Sequence, residues 1–301
     1  MIEVNNLKKS YKSKVVLDDI TFKVEPGVIT GFVGPNGAGK STTMKIIADV
    51  EQADSGSCKI DGKQFMYSTA PKQTLGSCMG ADFLPLNMSG PAYLKYISLT
   101  MGLKNVDVHE ILDYVRLSGV SRKKISDYSL GMKQRLGIAA AILGNPSNLM
   151  FDEPINGLDI DGIIWLRDLF KSLAQEGKTI FLSSHIMSEL EQVADRVIML
   201  DKGKITNIGD VEKLEDESNK NNWAVLIKSE KLDEIKDLLK SKGIEFKQDG
   251  DDLTVLGVQA EEVGKIIYSN GLTLSHIEEK KHNLEEIYLE SKESKEENNG
   301  N

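Results

Sequence analysis

The sequence predicts an α/β fold with a parallel sheet covered by helices, followed by a smaller α+β unit. Three short runs are apolar without polar alternation: Val28–Val33, Asn148–Phe151 and Thr179–Ser183. Such runs favour strands that are buried on both faces. Helical patterns lie between them, at Lys40–Asp49, Leu130–Leu143 and Ile163–Gln175. This alternation of strands and helices is typical of α/β proteins.

The ends of this first region follow other patterns. Ile2–Val4 and Ile20–Val24 alternate apolar and polar residues, which predicts an antiparallel β-subdomain with one exposed face. Arg196–Ile205 predicts a hairpin that turns at Asp201–Gly203. Between about residues 84 and 130 the apolar residues recur at helical spacing, so we expect a helical subdomain there.

A change of composition follows Gly209 and divides the chain. Residues 1–210 form the first predicted domain, and the polar stretch 211–222 is a predicted linker. Residues 223–290 follow the order β-α-β-β-α-β, with a last strand at Leu272–Ile277, which suggests a ferredoxin-like accessory domain. Residues 291–301 are charged and lack large apolar side chains, so we expect a disordered tail.

Composition excludes several functional classes. The 301 residues include 37 basic and 46 acidic side chains, a formal charge of −9, which argues against a general nucleic-acid binder. No apolar run approaches the ~20 residues that span a bilayer, and the N-terminal residues predict no signal peptide. Cys58 and Cys78 do not make a disulfide framework or a zinc site, and free thiols in a reducing compartment are expected.

A glycine-rich motif, Gly34-Pro-Asn-Gly-Ala-Gly-Lys-Ser41, lies between a predicted strand and a predicted helix and fits the phosphate-loop pattern G-x-x-x-x-G-K-[ST]. Gly37 and Gly39 let the backbone turn its N–H groups towards phosphate oxygens, and the helix adds its positive end. Lys40 would reach the β- and γ-phosphates, and Ser41 would ligate Mg²⁺. The predicted binding residues are Gly34, Pro35, Asn36, Gly37, Ala38, Gly39, Lys40, Ser41 and Thr42.

Two carboxylates end the second buried strand. The run Leu149–Glu153 places Asp152 and Glu153 at the carboxyl edge of the predicted sheet, where ligands of α/β proteins bind. Asp152 would hold Mg²⁺, and Glu153 would polarise the attacking water. Alone, such a pair is typical of a solvated strand end, and the upstream phosphate loop favours the catalytic interpretation.

The segment Tyr128-Ser-Leu-Gly-Met-Lys-Gln-Arg135 narrows the choice among nucleotide hydrolases. Here the sequence resembles the ATP-binding subunits of ABC transporters, whose signature is Leu-Ser-Gly-Gly-Gln. Ser129 and Gly131 match that signature, and Leu130 replaces its first glycine. The variant is similar to the form found in exporters of bacitracin, lantibiotics and related drugs. Ser129 would cap a helix whose free N–H groups face a phosphate.

Other motifs of that family occur in the expected order. Asp159 matches the aspartate of the D-loop, and Tyr11 matches the aromatic residue that stacks on adenine. His185 matches the switch histidine, which would contact the γ-phosphate and orient the water with Glu153.

One motif of the family departs from its pattern in this chain. The family carries a glutamine before its helical subdomain, and this chain has Gly80 there by register, with Asp82 as the nearest polar residue.

The resemblance covers residues 1 to about 210 and implies a P-loop NTPase fold of the ABC type, with ATP and Mg²⁺ as cofactors. It further implies a homodimer with two composite ATP sites and a separate polytopic permease, with the chain peripheral on the cytoplasmic face of the membrane. Export of antimicrobial peptides or drugs, for resistance or immunity, is the implied role. Two alternatives remain: a soluble non-transport ABC ATPase acting on ribosomes or DNA, and a module that holds ATP without turnover.

Overall fold

The computed structural model describes residues 1–104, 106–221, 223–250, 252–280 and 283–289. Contacts divide it into two compact units, Met1–Asp210 and Val211–Asn301. The predicted tail at 291–301 lies outside the described residues. Within the described ranges, no helix combines the length and the apolar character that crossing a membrane requires.

The first unit contains nine strands and seven α-helices within its described residues. They are, in chain order, β1 (Ile2–Tyr11), β2 (Lys14–Val24), β3 (Ile29–Val33), α1 (Lys40–Ile47), β4 (Ser55–Ile60), α2 (Pro71–Thr74), β5 (Leu75–Cys78), α3 (Gly90–Thr100), α4 (Val108–Tyr114), α5 (Leu130–Ile142), β6 (Asn148–Phe151), α6 (Ile160–Gln175), β7 (Thr179–Ser184), α7 (Met187–Glu191), β8 (Arg196–Asp201) and β9 (Lys204–Asp210).

The central sheet has the strand order β5-β6-β7-β3-β8-β9. The first five strands are parallel, and β9 pairs antiparallel with β8 as the predicted hairpin. Every residue of β3, β6 and β7 is buried, as strands covered on both faces require. Because β6, β7 and β3 are neighbours and parallel, the residues that follow them meet at one edge of the sheet. The α/β fold class is confirmed.

A second, antiparallel sheet of order β2-β1-β4 forms the predicted β-subdomain. Its apolar face shares one core with the central sheet. Three rings join the two sheets, because the ring centroids of Phe22, Phe32 and Phe181 lie 5.4–5.7 Å apart. This aromatic contact fixes the β-subdomain against the strand that leads into the phosphate loop.

The region predicted as a helical subdomain is helical only in part. Between residues 84 and 130 it contains α3, α4 and two single turns of 3₁₀-helix, and the other residues that the structure describes there are in loops. Asp107 caps α4 by accepting hydrogen bonds from the backbone N–H groups of His109 and Glu110. Pro91 at the start of α3 supplies a fixed φ where no helical hydrogen bond is lost.

The second unit has the element order that its sequence pattern predicts. After the helix α8 (Val211–Asn221) come β10 (Ala224–Lys228), α9 (Leu232–Ser241), β11 (Phe246–Asp249), β12 (Asp252–Leu256), α10 (Ala260–Ser269) and β13 (His276–Lys280). Its antiparallel sheet has the order β11-β12-β10-β13. The helices α9 and α10 pack their buried residues against the unit's own core.

Two details of the second unit differ from the predictions. The stretch predicted as a linker is helical, because Glu212, Lys213 and Leu214 are good helix formers even without an apolar period. The last strand begins at His276 rather than Leu272, since the backbone N–H of Leu272 donates to Ile267 and closes the end of α10.

Candidate nucleotide site

The phosphate loop connects β3 to α1 and is held tightly against β8. A methyl group on Gly34 would lie 2.1 Å from the carbonyl oxygen of Leu200, so only glycine fits there. Gly37 and Gly39 have φ of +82° and +113°, which glycine adopts without strain. Gly39 also lies against Leu17, where a side chain would clash. The loop is therefore shaped by its glycines, as predicted.

Lys40 lies folded back on the loop that precedes it. Its side chain is 5% exposed, and its Nζ donates to the carbonyl oxygens of Gly34 at 2.6 Å and Pro35 at 3.3 Å. Nζ also lies 3.8 Å from Oε1 of Glu153. Burial lowers the pKa of Lys40, and the carboxylates of Glu153 and Asp152 oppose that shift. The ammonium is thus held beside the site by loop carbonyls and by the carboxylate of Glu153.

The remaining loop residues surround the start of α1. Pro35, Asn36 and Gly37 are exposed at the tip of the loop, whereas Ala38 is buried. Ser41 is exposed in the first turn of the helix, and its neighbour Thr42 is half-buried. The first N–H groups of α1 have no helical acceptor, which makes this end suited to anions.

The two carboxylates that follow β6 have different surroundings. Oδ1 of Asp152 accepts a hydrogen bond of 2.5 Å from the hydroxyl of Ser183, and that hydroxyl accepts one from the backbone N–H of Glu153. Glu153 has φ of +51°, a conformation that costs a non-glycine residue free energy. Sequence reasoning missed Ser183; its signal is a buried polar residue at the end of an apolar strand.

His185 follows β7 and faces the carboxylate of Glu153. The distance between Nδ1 of His185 and Oε2 of Glu153 is 2.9 Å. Glu189 lies nearby, and burial is the largest cause that raises the pKa of Glu189, with the charge of Glu153 adding to it. The structure therefore brings Lys40, Glu153 and His185 together at the carboxyl edge of the sheet.

Tyr11 ends β1 and is 45% exposed. Its hydroxyl donates to Glu51, and the Nζ of Lys9 lies 5.2 Å from the ring centroid. Burial and the hydrogen bond to Glu51 raise the pKa of Tyr11, while Thr42 acts in the opposite direction. The hydroxyl of Tyr11 therefore lies near Thr42 in the first turn of α1. Lys9 and Glu51 were missed, because their role depends on β1 passing close to the end of α1.

The signature residues form a second cluster on α5 and the D-loop. Ser129 caps α5, since its Oγ accepts from the backbone N–H of Met132 at 3.2 Å. Asp159 caps α6 in the same way through Gly162 at 2.9 Å. A methyl group on Gly131 would lie 2.7 Å from the carbonyl oxygen of Gly157. A glycine at this position thus lets the signature helix approach the D-loop.

An open recess of about 430 Å³ adjoins this cluster. It is lined by Ser129, Gly131, Asp159, Arg116 and Arg135, among others. The Arg135 guanidinium lies 4.5 Å from the ring centroid of Trp165. Desolvation, followed by the charge of Arg116, lowers the pKa of Arg135. Two arginines and one aspartate give the recess a positively charged lining, which includes no residue of the phosphate loop at 34–41.

Gly80 stands where the family carries a glutamine, so no side chain is present at that position. Gly80 has φ of +109° and follows β5, and a methyl group there would meet open space. Asp82 is exposed in a single 3₁₀ turn, Ala81–Phe83. No hydrogen bond found among the described residues links Asp82 to Asp152 or Lys40.

Residues 17–156 match the family model described as ABC transporter. A lantibiotic transport ATP-binding protein of Streptococcus pyogenes is 38% identical over 205 residues, which is 68% of this chain and 89% of the relative. The chain belongs to the family of ABC transporter ATP-binding proteins. This ABC ATPase is also 33% identical to a bacitracin transport ATP-binding protein of Enterococcus faecalis, over 96% of this chain and 95% of the relative.

Structural comparison agrees with the family. The ATP-binding subunit of another ABC transporter superposes with a TM-score of 0.65 at 28% identity and covers 72% of this ABC ATPase and 92% of the neighbour. A dimeric bacterial ABC transporter cassette, at 22% identity and a TM-score of 0.64, shows the same fold over 70% of this chain and 98% of its own. Residues 223–285 match a family described only as a domain of unknown function.

Proposed function

We propose that this ABC ATPase hydrolyses ATP to energise a separate membrane permease that exports antimicrobial peptides or drugs. The observation that carries the proposal is the convergence of Lys40, Glu153 and His185 at one edge of the sheet, beside an anion-binding helix end. A lysine on a phosphate loop, a carboxylate and a histidine within contact distance are the groups that phosphoryl transfer to water needs.

ATP binding would use the loop and the ring of Tyr11. Residues Gly34–Gly39 offer backbone N–H groups, and α1 adds the positive end of its dipole. Lys40 would exchange the two loop carbonyls that it contacts for phosphate oxygens, which carry full charge and bind an ammonium more strongly. The exposed face of Tyr11 would stack on the base, which the resemblance assigns to adenine.

The residues fit Mg²⁺. Ser41 and Asp152 supply a hydroxyl and a carboxylate, the hard oxygen ligands that this ion prefers. Among the described residues, the hydrogen bond to the carboxylate of Asp152 comes from the hydroxyl of Ser183 and uses Oδ1, which would leave Oδ2 for the ion. Bound Mg²⁺ neutralises charge on the phosphates.

Hydrolysis would depend on Glu153 and His185. Glu153 accepts a hydrogen bond from the attacking water and polarises it towards the γ-phosphorus. As the water oxygen bonds to that phosphorus, the water's proton would pass to the carboxylate of Glu153, and the bond from phosphorus to the bridging oxygen would break with release of ADP. The Nδ1 of His185 lies against the carboxylate of Glu153, and its Nε2 would contact a γ-phosphate oxygen. One imidazole would thus orient both the carboxylate and the phosphate.

A head-to-tail homodimer would complete the site. The capped start of α5, with Ser129 and Gly131, would bind the phosphates of the ATP held by the partner, and Asp159 would line the same interface. Exposed apolar side chains beside these residues support this assignment: Leu130, Ile160 and Ile164 are 49%, 77% and 44% exposed. A solved cassette of the same fold is described as dimeric.

The permease would dock on the region around α3. Four large apolar side chains are 50% or more exposed there: Phe83, Leu86, Tyr96 and Leu99. An apolar group of this kind favours a protein partner. Binding a permease would hold the chain peripherally at the cytoplasmic face of the membrane. The relatives named for lantibiotic and bacitracin transport suggest the cargo class and a role in resistance or immunity.

The two alternative functions have less support than transport. A non-transport ABC ATPase acting on ribosomes or DNA would usually carry two ATP-binding units or a long coiled-coil insertion, and the sequence contains one phosphate loop. The charge of −9 argues against nucleic acid as a partner. A module that binds ATP without turnover would not need Glu153 and His185 in contact.

Affinity capture from detergent-solubilised native membranes tests the proposal. We expect the chain to co-purify with a polytopic membrane protein, and Phe83→Ser with Leu99→Ser to reduce that recovery. Val50→Ser, at a residue that is 72% exposed elsewhere in the first unit, is the matched control. Recovery only with ribosomal proteins or nucleic acid would overturn the transport role.

A further inference from the structure

Gln134 is a buried polar side chain on the signature helix that the proposed mechanism does not use. It is 4% exposed and lies on the face of α5 that also buries Gly131, Gly137 and Ile138. Its Nε2 donates to the backbone carbonyl oxygen of Glu153 at 3.1 Å. Its Oε1 is buried and has no hydrogen-bond partner within the described part of the chain.

An unpaired buried acceptor lowers the stability of the fold. A methionine of similar length would fill the same space without that cost, so packing alone does not account for a glutamine here. Among the described residues, the side-chain hydrogen bond of Gln134 goes to the backbone of Glu153, the residue with φ of +51°. Backbone conformations of this kind persist where surrounding contacts hold them.

Several contacts hold Glu153. Its N–H donates to Ser183 at 3.0 Å, and its carbonyl oxygen accepts from the side chain of Gln134 at 3.1 Å and from the backbone N–H of Asn156 at 3.3 Å. Its carboxylate contacts His185 and Lys40. Ser183 belongs to β7 of the same sheet, whereas Gln134 reaches Glu153 from the helix that begins at Ser129. Gln134 is therefore the contact that makes the position of Glu153 depend on α5.

We propose that Gln134 is a positioning residue that fixes the backbone of Glu153 and ties it to the signature helix. The proposal rests on the function proposed above for Glu153. In the head-to-tail dimer, the start of α5 faces the partner's nucleotide, while Glu153 serves the nucleotide of its own chain. One helix would then connect the two composite sites through this hydrogen bond.

The test compares Gln134→Met with the wild-type full-length chain. Because the variant keeps the loop and Ser129, we expect KM for ATP to stay within about twofold and kcat to fall about 10- to 100-fold. ATP should still drive dimerisation, and the melting temperature should not fall. Thr179→Val is the matched control, because it removes another buried, unpaired oxygen at the far end of β7, and it should leave kcat unchanged.

Two results would overturn this role for Gln134. One is a wild-type kcat in Gln134→Met while Glu153→Gln abolishes turnover, which leaves the proposed function intact. The other is loss of ATP-driven dimerisation in step with turnover, which would place the action of Gln134 on the signature helix alone. If Glu153→Gln itself kept full turnover, the proposed function would fail instead.

Discussion

At the scale of single residues, the site depends on side chains that already have partners within the chain. Glu51 and His185 orient Tyr11 and Glu153, and such preorganisation reduces the entropy lost on binding. Lys40 would instead exchange the loop carbonyls for phosphate oxygens when ATP binds. Single substitutions should therefore separate binding from turnover.

Tyr11→Ala should weaken ATP binding without stopping turnover at saturating ATP. Stacking of a base on an aromatic ring contributes about 1–3 kcal/mol, which corresponds to an increase of about 5- to 150-fold in Kd. Tyr11→Phe keeps the ring and is the control. Equal Kd values for the alanine variant and the wild type, measured by calorimetry, would show that the ring does not contact the base.

Alkaline pH should weaken ATP binding earlier than an ordinary lysine predicts. Burial lowers the pKa of Lys40, so the ammonium loses its proton below the usual range and phosphate then loses its cation. Bound ATP raises that pKa again, so Kd for ATP should increase as pH rises through the lowered value. Tyr11→Phe should retain this dependence, because the pKa of Tyr11 is raised. A Kd that stays constant up to the ordinary lysine range would contradict the account.

At the scale of elements, the α5 cap serves two purposes. Ser129→Ala removes a capping bond worth about 1 kcal/mol and should lower the melting temperature by about 2–4 °C. It should also reduce turnover, because the same hydroxyl would face the partner's phosphate. Asp107→Ala removes the cap of α4 and should lower stability alone. If both variants kept full turnover, Ser129 would have only a capping role.

Sequence patterns predicted the elements whose signal is local. The buried strands β3, β6 and β7 and the helices α1, α5 and α6 follow continuous apolar runs or helical periods, and the structure agrees within a few residues. The short strands β4 and β5 were not predicted. Ser55–Ile60 and Leu75–Cys78 contain small and polar residues, which form strands here because they pair with strands that are distant in sequence.

The residues of the candidate site divide in the same way, into those with a local sequence signal and those whose contacts depend on the fold. Lys40, Asp152, Glu153 and His185 were predicted because each belongs to a motif that is contiguous in sequence. Ser183 has no such motif, since its role arises from a contact between neighbouring strands. Gln134 lies within the signature segment, yet its bond to Glu153 spans 19 residues and appears only in three dimensions.

At the scale of the whole molecule, the two compact units predict separable behaviour. All the candidate nucleotide residues and their core lie in Met1–Asp210. A chain ending at Asp210 should therefore fold and bind ATP with a Kd within about twofold of the full-length value. Calorimetry and a thermal melt of the shortened chain measure this. Failure of the shortened chain to fold would show that residues 211–301 contribute to the stability of the first unit.

In the proposed function, two chains enclose ATP and Glu153 hydrolyses it. The most direct measurement is the mass in solution of Glu153→Gln with and without ATP, together with its turnover. We predict a turnover at least about 100-fold below wild type and an ATP-dependent shift to twice the 33.3 kDa of one chain. Glu176→Gln should behave as wild type. A Glu153→Gln chain that binds ATP and remains a monomer, or that still hydrolyses it, would contradict the account.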